Sequence, residues 1–135
     1  MKHIYVVAAI ITHNNKILCM QRPSGKYRYT DLKFEFPGGK IEAGETHVQA
    51  LMRELNEEMA FQVHITEENY FMTVEHQYPD FKITMYSYLC PVEDTHFVRK
   101  EHIDSKWLPF NQLEALDWAA ADQPIVKELI KRGLS

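Results

Sequence analysis

The sequence predicts an α+β protein in which a mixed β-sheet lies between two helices, as in an α/β/α sandwich. Two observations favour this fold class. Strand-like segments stand on both sides of a central segment with helical spacing, and a second helical segment closes the chain. Helices with one apolar stripe bury it most simply against the faces of a sheet. We expect residues 1–135 to form a single domain, because this length suits one hydrophobic core.

The first 40 residues predict a hairpin, a loop and a short strand. Residues 3–12 are rich in β-branched side chains, and residues 13–15 have the composition of a turn. Residues 16–21 are therefore expected to return as the second strand of a hairpin. Proline and glycine indicate a loop over residues 23–32. Residues 33–36 form a short strand that leads into a glycine pair.

A central helix is predicted from Thr46 onward. Apolar residues recur there at i, i+3, i+4 and i+7, which is the spacing of one helix face. These residues are Val48, Leu51, Met52, Leu55 and Met59. We expect this face to pack on the sheet.

After the helix the sequence predicts further strands and two helical pieces. Strand character occurs in two pieces within residues 62–78, one on each side of the polar residues 66–69, and again in residues 81–90 and 103–108. Residues 91–102 carry mixed charge and are expected to form a loop. A short helical piece is expected over residues 111–116.

The last helix is predicted from Asp122 to Arg132. Pro124 stands in its first turn and Gly133 follows its end, which is the usual asymmetry of proline and glycine at helix termini. Asp122 lies where an N-cap side chain is expected.

Composition limits the classes of partner. A net charge of −4 without a basic stripe argues against a nucleic-acid polymer. The longest apolar run, residues 4–11, is too short to span a bilayer and lacks the cleavage site of a signal peptide. Cys19 and Cys90 lie in apolar, strand-like segments and are expected to be reduced and buried. The histidines show no zinc-ligand spacing. We therefore expect a cytoplasmic protein.

Three glutamates on the central helix, which we call the acid cluster (Glu54, Glu57 and Glu58), point to a cation site. They stand at i, i+3 and i+4 and fall within an arc of about 100°. Carboxylate oxygens in this number suit a hard divalent cation such as Mg²⁺. The alternative is an ordinary solvated helix face. The Gly38-Gly39 pair before the helix favours the cation site, because glycine lets backbone approach a ligand closely.

These residues resemble the Nudix box. The match reads Gly39, five residues, Glu45, seven residues, Arg53-Glu54-Leu55, one residue, Glu57-Glu58, one residue and Ala60-Phe61. The single departure is Ala60, where the family has glycine. That position typically ends the helix in a left-handed conformation, in which alanine costs on the order of 1 kcal/mol.

The resemblance implies a metal-dependent hydrolase of diphosphates linked to another group. In such an enzyme the acid cluster binds one or more Mg²⁺ or Mn²⁺ ions with help from the Gly38 carbonyl. Arg53 pairs with a glutamate and holds its rotamer, and Glu45 is an orienting or auxiliary carboxylate. The ions neutralise the bridging oxygens while a base activates a water in line with the leaving group.

The general base is implied by the MutT-like members of the family. In these a glutamate in a loop well after the box takes that role, and Lys100-Glu101 followed by Trp107 matches the spacing. Glu101 is therefore expected as the base and as a metal ligand. If Glu101 is only a loop glutamate, Glu57 is the substitute base.

The MutT-like resemblance extends to residues that would contact the substrate. Arg22, after the second strand, matches a substrate-contacting arginine, and Tyr78 or Phe36 is expected to stack on a base. Lys40 is expected to reach a phosphate oxygen. Each has an ordinary alternative: Tyr78 as a core aromatic and Lys40 as a surface lysine. Lys26 and Arg28 are equally compatible with a solvated loop and with phosphate contact.

Asp122 corresponds to the position where MutT-like members have an asparagine that reads the purine and CTP-hydrolysing members have aspartate. An ionised carboxylate only accepts hydrogen bonds, so it favours a base edge that presents donors. Cytosine and guanine both do. Helix capping remains the structural alternative for Asp122.

The resemblance thus implies hydrolysis of a nucleoside triphosphate to a monophosphate and pyrophosphate. The expected substrates are an oxidised nucleotide such as 8-oxo-dGTP, or a pyrimidine such as CTP or dCTP. The alternatives are ADP-ribose, a nucleoside-diphosphate sugar or a dinucleotide, and a nucleotide-sensing module without catalysis. The expected partner is a small nucleotide, with the protein as a monomer or homodimer.

Overall fold

A seven-stranded mixed sheet forms the centre of the protein in the computed structural model, which describes residues 1–25 and 27–133. The strands are β1 (Lys2–His13), β2 (Lys16–Gln21), β3 (Phe34–Glu35), β4 (Gly38–Lys40), β5 (Tyr70–Gln77), β6 (Phe81–Pro91) and β7 (Asp104–Pro109). Their order along the sheet is β3-β2-β1-β6-β5, with β4 also paired to β1 and β7 to β2. Strands β1 and β6 run parallel, and the other pairs are antiparallel.

Two α-helices cover the two faces of this sheet, which confirms the predicted sandwich. They are α1 (His47–Met59) and α2 (Gln123–Arg132), and short 3₁₀ helices occupy residues 28–30, 67–69, 110–115 and 120–122. Within the described residues, no helix has the length and apolarity needed to cross a membrane.

Strand β1 separates two hydrophobic cores. Its side chains alternate between the faces, so Val7, Ala9 and Ile11 pack beneath α1, whereas Ala8 and Ile10 pack beneath α2. The apolar face predicted for the central helix is buried as expected at Val48, Leu51, Leu55 and Met59. The cysteines are free and buried, one in each core.

The first of the two strands predicted within residues 62–78 is wrong. Residues 60–66 have no ladder partner, and only β5 forms in this region. The alternation that predicted a strand is real, since Phe61, Val63 and Ile65 are buried while Gln62 and His64 are exposed. The extended chain here lays one side onto the α1 core without pairing to the sheet.

Both ends of α1 are capped, the N-terminal end by a side chain and the C-terminal end by a left-handed residue. Thr46 is the N-cap and forms a capping box with Gln49. Ala60 ends the helix in the left-handed region with φ 49°, and its N–H donates to the Asn56 carbonyl at 3.0 Å. Alanine thus takes the conformation for which the family uses glycine.

Candidate functional site

The glycine pair brings the backbone into direct contact with β1 and α1. The antiparallel pairing of β4 with β1 sets Gly38 opposite Ala8 and Gly39 opposite Val7. A Cβ on Gly38 would overlap the Val7 carbonyl, and a Cβ on Gly39 would overlap the Glu54 carboxyl group. Gly38 therefore requires glycine for packing against backbone, whereas a side chain at Gly39 would displace the Glu54 carboxyl group from the backbone that precedes the helix.

Arg53 is the centre of the charged network on α1. Its Nε donates to Glu45 Oε2 at 2.6 Å and its Nη2 to Glu45 Oε1 at 2.9 Å, a two-pronged pair. Nη1 donates to Glu54 at 2.9 Å and to Glu57 at 3.1 Å, and Nη2 also reaches the Lys40 carbonyl at 3.0 Å. The guanidinium bonds lower the pKa of Glu45, while Glu45 and Glu54 raise the pKa of Arg53.

Glu58 lies among other carboxylates and shares a side-chain hydrogen bond with Glu54. Burial, followed by the negative charges of Glu101 and Glu54, raises the pKa of Glu58 to about 9. A carboxyl group in this setting keeps its proton at neutral pH unless positive charge is supplied. Glu101 comes from the loop between β6 and β7, so the structure brings it to the acid cluster from 43 residues away in the sequence.

The donor set fits a hard divalent cation. No three acidic, histidine or cysteine side chains among the described residues surround one point at ligand spacing, and Arg53 engages two of the three glutamates of the acid cluster. Arg53 contacts one carboxylate oxygen of Glu54 and one of Glu57, which leaves the second oxygen of each available to an ion. The unneutralised carboxylates around Glu58 are the feature that such an ion would satisfy.

A cavity of about 510 Å³ extends from Glu58 of the acid cluster to Asp122. Gly38, Gly39, Glu58 and Glu101 line what we call its acid side. Its aromatic side is lined by Phe36, Tyr78, Phe81, Ala121 and Asp122. The volume lies within the usual range for small-ligand sites.

Asp122 is buried on the aromatic side, at 5% exposure. Its Oδ1 accepts from the Phe36 N–H at 3.0 Å, and it makes no side-chain cap on α2, so the helix-capping alternative is wrong. Burial, followed by the charge of Glu35, raises the pKa of Asp122, while the Phe36 N–H and Arg22 act against this.

The two aromatic rings predicted to stack on a base are both buried. Tyr78 accepts the Ala121 N–H at 3.0 Å through its hydroxyl, and its ring stacks on Tyr29 at 5.1 Å. Phe36 stacks on Trp118 at 4.7 Å. Each ring therefore belongs to the core beneath α2 and also lines the cavity.

Arg22 reaches the cavity from the end of β2 and is held by Glu35. Its Nη1 donates to Glu35 Oε1 at 3.0 Å, and its Nε is buried without a partner. Glu35 Oε2 is bonded to His102 Nε2 at 2.8 Å. The negative charge of Glu35 raises the pKa of both Glu58 and Asp122. Glu35 therefore influences the acid side and the aromatic side of the cavity.

The other basic residues that were expected near phosphates do not line the cavity where the structure describes them. Lys40 and Arg28 are exposed, and neither lines the cavity. Lys26 lies outside the described residues. The lysine and arginine contacts predicted for phosphates stay predictions at these three positions.

Glu35 and His102 are site residues that the sequence did not reveal. Glu35 stands in a two-residue strand whose alternation only indicates a polar side chain, and His102 lies in a mixed-charge loop. Their contact joins positions 67 apart. The only sequence signal is the adjacency of His102 to Glu101, which becomes informative once Glu101 is assigned to the site.

The model of the NUDIX domain family matches residues 1–129 of this chain. The chain belongs to the Nudix family. This Nudix domain is 35% identical over 132 residues to the 8-oxo-dGTP diphosphatase of Escherichia coli K12, covering 96% of this chain and 98% of the relative. It is also 34% identical over 129 residues to the CTP pyrophosphohydrolase of the same organism, covering 94% and 91%.

Solved Nudix structures have the same fold. A solution structure of the DNA mismatch repair protein MutT from methicillin-resistant Staphylococcus aureus 252 is 39% identical, with a TM-score of 0.76 and coverage of 98% of this chain and 100% of that one. The E. coli ORF135 protein is 32% identical, with a TM-score of 0.78 and coverage of 97% and 91%. The chain is thus a Nudix hydrolase of the MutT-like branch, a family that generally uses a divalent metal.

Proposed function

We propose that this Nudix hydrolase is a Mg²⁺-dependent pyrophosphohydrolase that converts a nucleoside triphosphate to a monophosphate and pyrophosphate. The observation that carries the proposal is the cavity shared by the carboxylates Glu58 and Glu101 and by the buried Asp122 with its aromatic neighbours. A nucleoside triphosphate matches the two sides of this cavity. Its phosphates can lie on the acid side if cations separate them from the carboxylates. Its base needs a flat apolar slot with a few polar groups.

The preferred substrates under this proposal are 8-oxo-dGTP and CTP or dCTP. Relatives that cover nearly the whole chain are named for both activities. Asp122 supports either base, since a carboxyl group accepts from an amino group when ionised and also donates when protonated. Its raised pKa keeps the protonated form available.

The acid side would hold the metal through the acid cluster, the Gly38 carbonyl and Glu101. Mg²⁺, or Mn²⁺ in its place, supplies neutralisation of the phosphate oxygens when bound. Glu101 would accept the proton of the attacking water, with Glu57 as the alternative base.

Other side chains would orient the groups that react. Arg53, which is itself fixed by its two-pronged pair with Glu45, would orient Glu54 and Glu57. The Nε of Arg22, which is buried without a hydrogen-bond partner, would donate to an acceptor atom of the substrate. Lys40 would contact an outer phosphate. We infer a small-molecule partner only, a monomer or homodimer, and a cytoplasmic location.

A panel of nucleotides assayed with Mg²⁺ tests the substrate assignment. Release of pyrophosphate from 8-oxo-dGTP, CTP or dCTP is expected to exceed release from the other common triphosphates. Preferential turnover of ADP-ribose, a nucleoside-diphosphate sugar or a dinucleotide would contradict the proposal.

The Glu57→Gln variant tests the metal site. We expect its turnover to fall on the order of a hundredfold, since losing even a group that supports a metal ligand typically costs about 10- to 100-fold. Glu114→Gln is the matched control, because Glu114 is exposed on the 3₁₀ helix at residues 110–115 and does not line the cavity. Unchanged pyrophosphate release in Glu57→Gln would leave the acid cluster without a catalytic role.

A further inference from the structure

The loop that carries Glu101 is fastened by backbone bonds at residues 92, 98 and 103, and it is exposed where Glu101 stands. Residues 92–103 form no helix or strand, and the side chains from Arg99 to Glu101 are exposed. Three backbone bonds fasten the loop: the Val92 N–H donates to the Thr12 carbonyl at 2.9 Å, the Val98 N–H to the Met59 carbonyl at 2.8 Å, and the Ile103 N–H to the Gln21 carbonyl at 3.0 Å. The Lys100 Nζ also donates to the Glu57 carbonyl at 3.2 Å. A reacting carboxylate on such a loop needs further support to hold one position.

His102 is the buried side chain next to Glu101. Its imidazole is 6% exposed and lines the cavity. Its Nε2 is 2.8 Å from Glu35 Oε2. Since an ionised carboxylate only accepts, Nε2 is the donor in this bond.

Glu35 is itself held in a fixed place. It lies on β3, opposite Met20 of β2, and its second oxygen accepts from Arg22. His102 is therefore bonded to a carboxylate that belongs to the sheet rather than to another loop.

We propose that His102 is a positioning residue for Glu101, because its bond to Glu35 fixes the loop so that Glu101 faces Glu58 across the acid side of the cavity. The proposal rests on the proposed function only in assigning a reaction role to Glu101. It assigns no contact with substrate to His102. The same bond also ties the position of Glu101 to that of Arg22, so the two sides of the cavity share one support.

Kinetics of His102→Ala and His102→Gln test the proposal with the substrate found by the nucleotide panel. His102→Ala is expected to lower kcat about 10- to 100-fold, the usual cost of losing a residue that orients a reacting ligand. KM is expected to change less than about threefold, because Arg22 keeps its bond to Glu35. His102→Gln is expected to recover most of kcat, because its amide N–H replaces the Nε2 donor.

His96→Ala is the matched control. His96 is exposed in the same loop, and only its backbone N–H makes a hydrogen bond, to Asp94. Its kcat is expected to equal that of the wild type. If His102→Ala matches the control, or if glutamine recovers no more activity than alanine, the proposal is overturned.

A double-mutant cycle with Glu35→Ala separates positioning from other roles of His102. Contacting residues that act through each other give non-additive effects. Adding His102→Ala to Glu35→Ala is therefore expected to lower kcat little further, although Glu35→Ala also releases Arg22 and raises KM. Additive losses would show that His102 does not act through Glu35.

Hydrogen exchange provides a readout that does not depend on turnover. The Val98 and Ile103 amides are expected to exchange faster in His102→Ala than in His96→Ala, and His102→Gln is expected to restore their protection. If the wild type releases pyrophosphate from no nucleotide, the proposed function fails, while this comparison still tests the loop anchor. Equal exchange in the three variants overturns the anchor whether or not the enzyme turns over.

Discussion

Asp122 is a buried carboxyl group with one backbone donor and, within residues 1–25 and 27–133, no ion pair at close range. The Phe36 N–H contacts Oδ1, and burial with the charge of Glu35 raises its pKa above the ordinary 3.8. The folded protein therefore binds a proton that the unfolded chain releases once the pH exceeds about 4. Asp122 lowers the free energy of unfolding progressively as the pH rises from there.

The Asp122→Asn variant removes this pH dependence. Its amide oxygen accepts the Phe36 N–H without ionising, so we expect a stability close to the wild type near about pH 4 and an advantage that grows as the pH rises above that value. Urea unfolding across this pH range measures the difference. Asp94→Asn is the control, because Asp94 is exposed yet also accepts a backbone N–H. Parallel curves for wild type and Asp122→Asn would contradict the raised pKa.

Some site residues could be predicted from a short stretch of sequence, and others could not. The spacing of Glu45, Arg53 and the acid cluster lies within one box, so the sequence placed them on one helix and the loop before it. The Glu35–His102 bond depends on where a short strand meets a distant loop, and no local pattern encodes that. Asp122 was placed correctly at the helix start, but its partner Phe36 is known only from the fold.

Elements with strong local signals have nearly the predicted bounds. The hairpin turn carries Asn14 and Asn15 with φ 49° and 61°, which favours the two-residue turn between β1 and β2. Residues 61–65 had the same alternation as a strand, but a strand also needs a partner, and pairing is not visible in the sequence. Strand β4 was missed for the converse reason, since Gly38-Gly39 has weak strand propensity and pairs with β1 through its backbone.

Replacing Ala60 by glycine is expected to stabilise the end of α1. The left-handed φ of 49° strains alanine and does not strain glycine, and the gain exceeds the entropy that glycine loses on folding. We expect the free energy of unfolding to rise by about 0.5–1 kcal/mol. Ala115→Gly, at an exposed site without positive φ, is expected to lower it slightly. Chemical denaturation decides, and a loss of stability in Ala60→Gly would show that the helix end is not strained.

At the scale of the whole molecule, β1 connects both hydrophobic cores. Ile10 and Ile11 are adjacent and fully buried, yet they pack beneath different helices. Damage to one core therefore disturbs the strand that supports the other. This sharing is the physical reason to expect one domain.

Unfolding is accordingly expected to occur in one transition seen equally from both cores. Trp118 lies in the core beneath α2 and Trp107 packs against the core beneath α1, so Trp107→Phe and Trp118→Phe each leave one reporter. In each single-tryptophan variant, Ile10→Val and Ile11→Val should each lower the free energy of unfolding by about 0.5–1.5 kcal/mol and so lower the unfolding midpoint. Two separate midpoints would contradict the single domain.

The parallel pairing of β1 with β6 has a consequence for synthesis on the ribosome. Lys2 pairs with Phe81 and Thr12 with Pro91, so the first strand made waits for partners about eighty residues later. Until then β4 is the only ladder partner of the apolar middle of β1 among the described residues, because β2 pairs with β1 only at Thr12 and His13. The nascent chain therefore exposes an unpaired, aggregation-prone strand edge. Chaperone capture of ribosome-bound fragments should therefore persist through the emergence of α1 and end once β6 has left the exit tunnel.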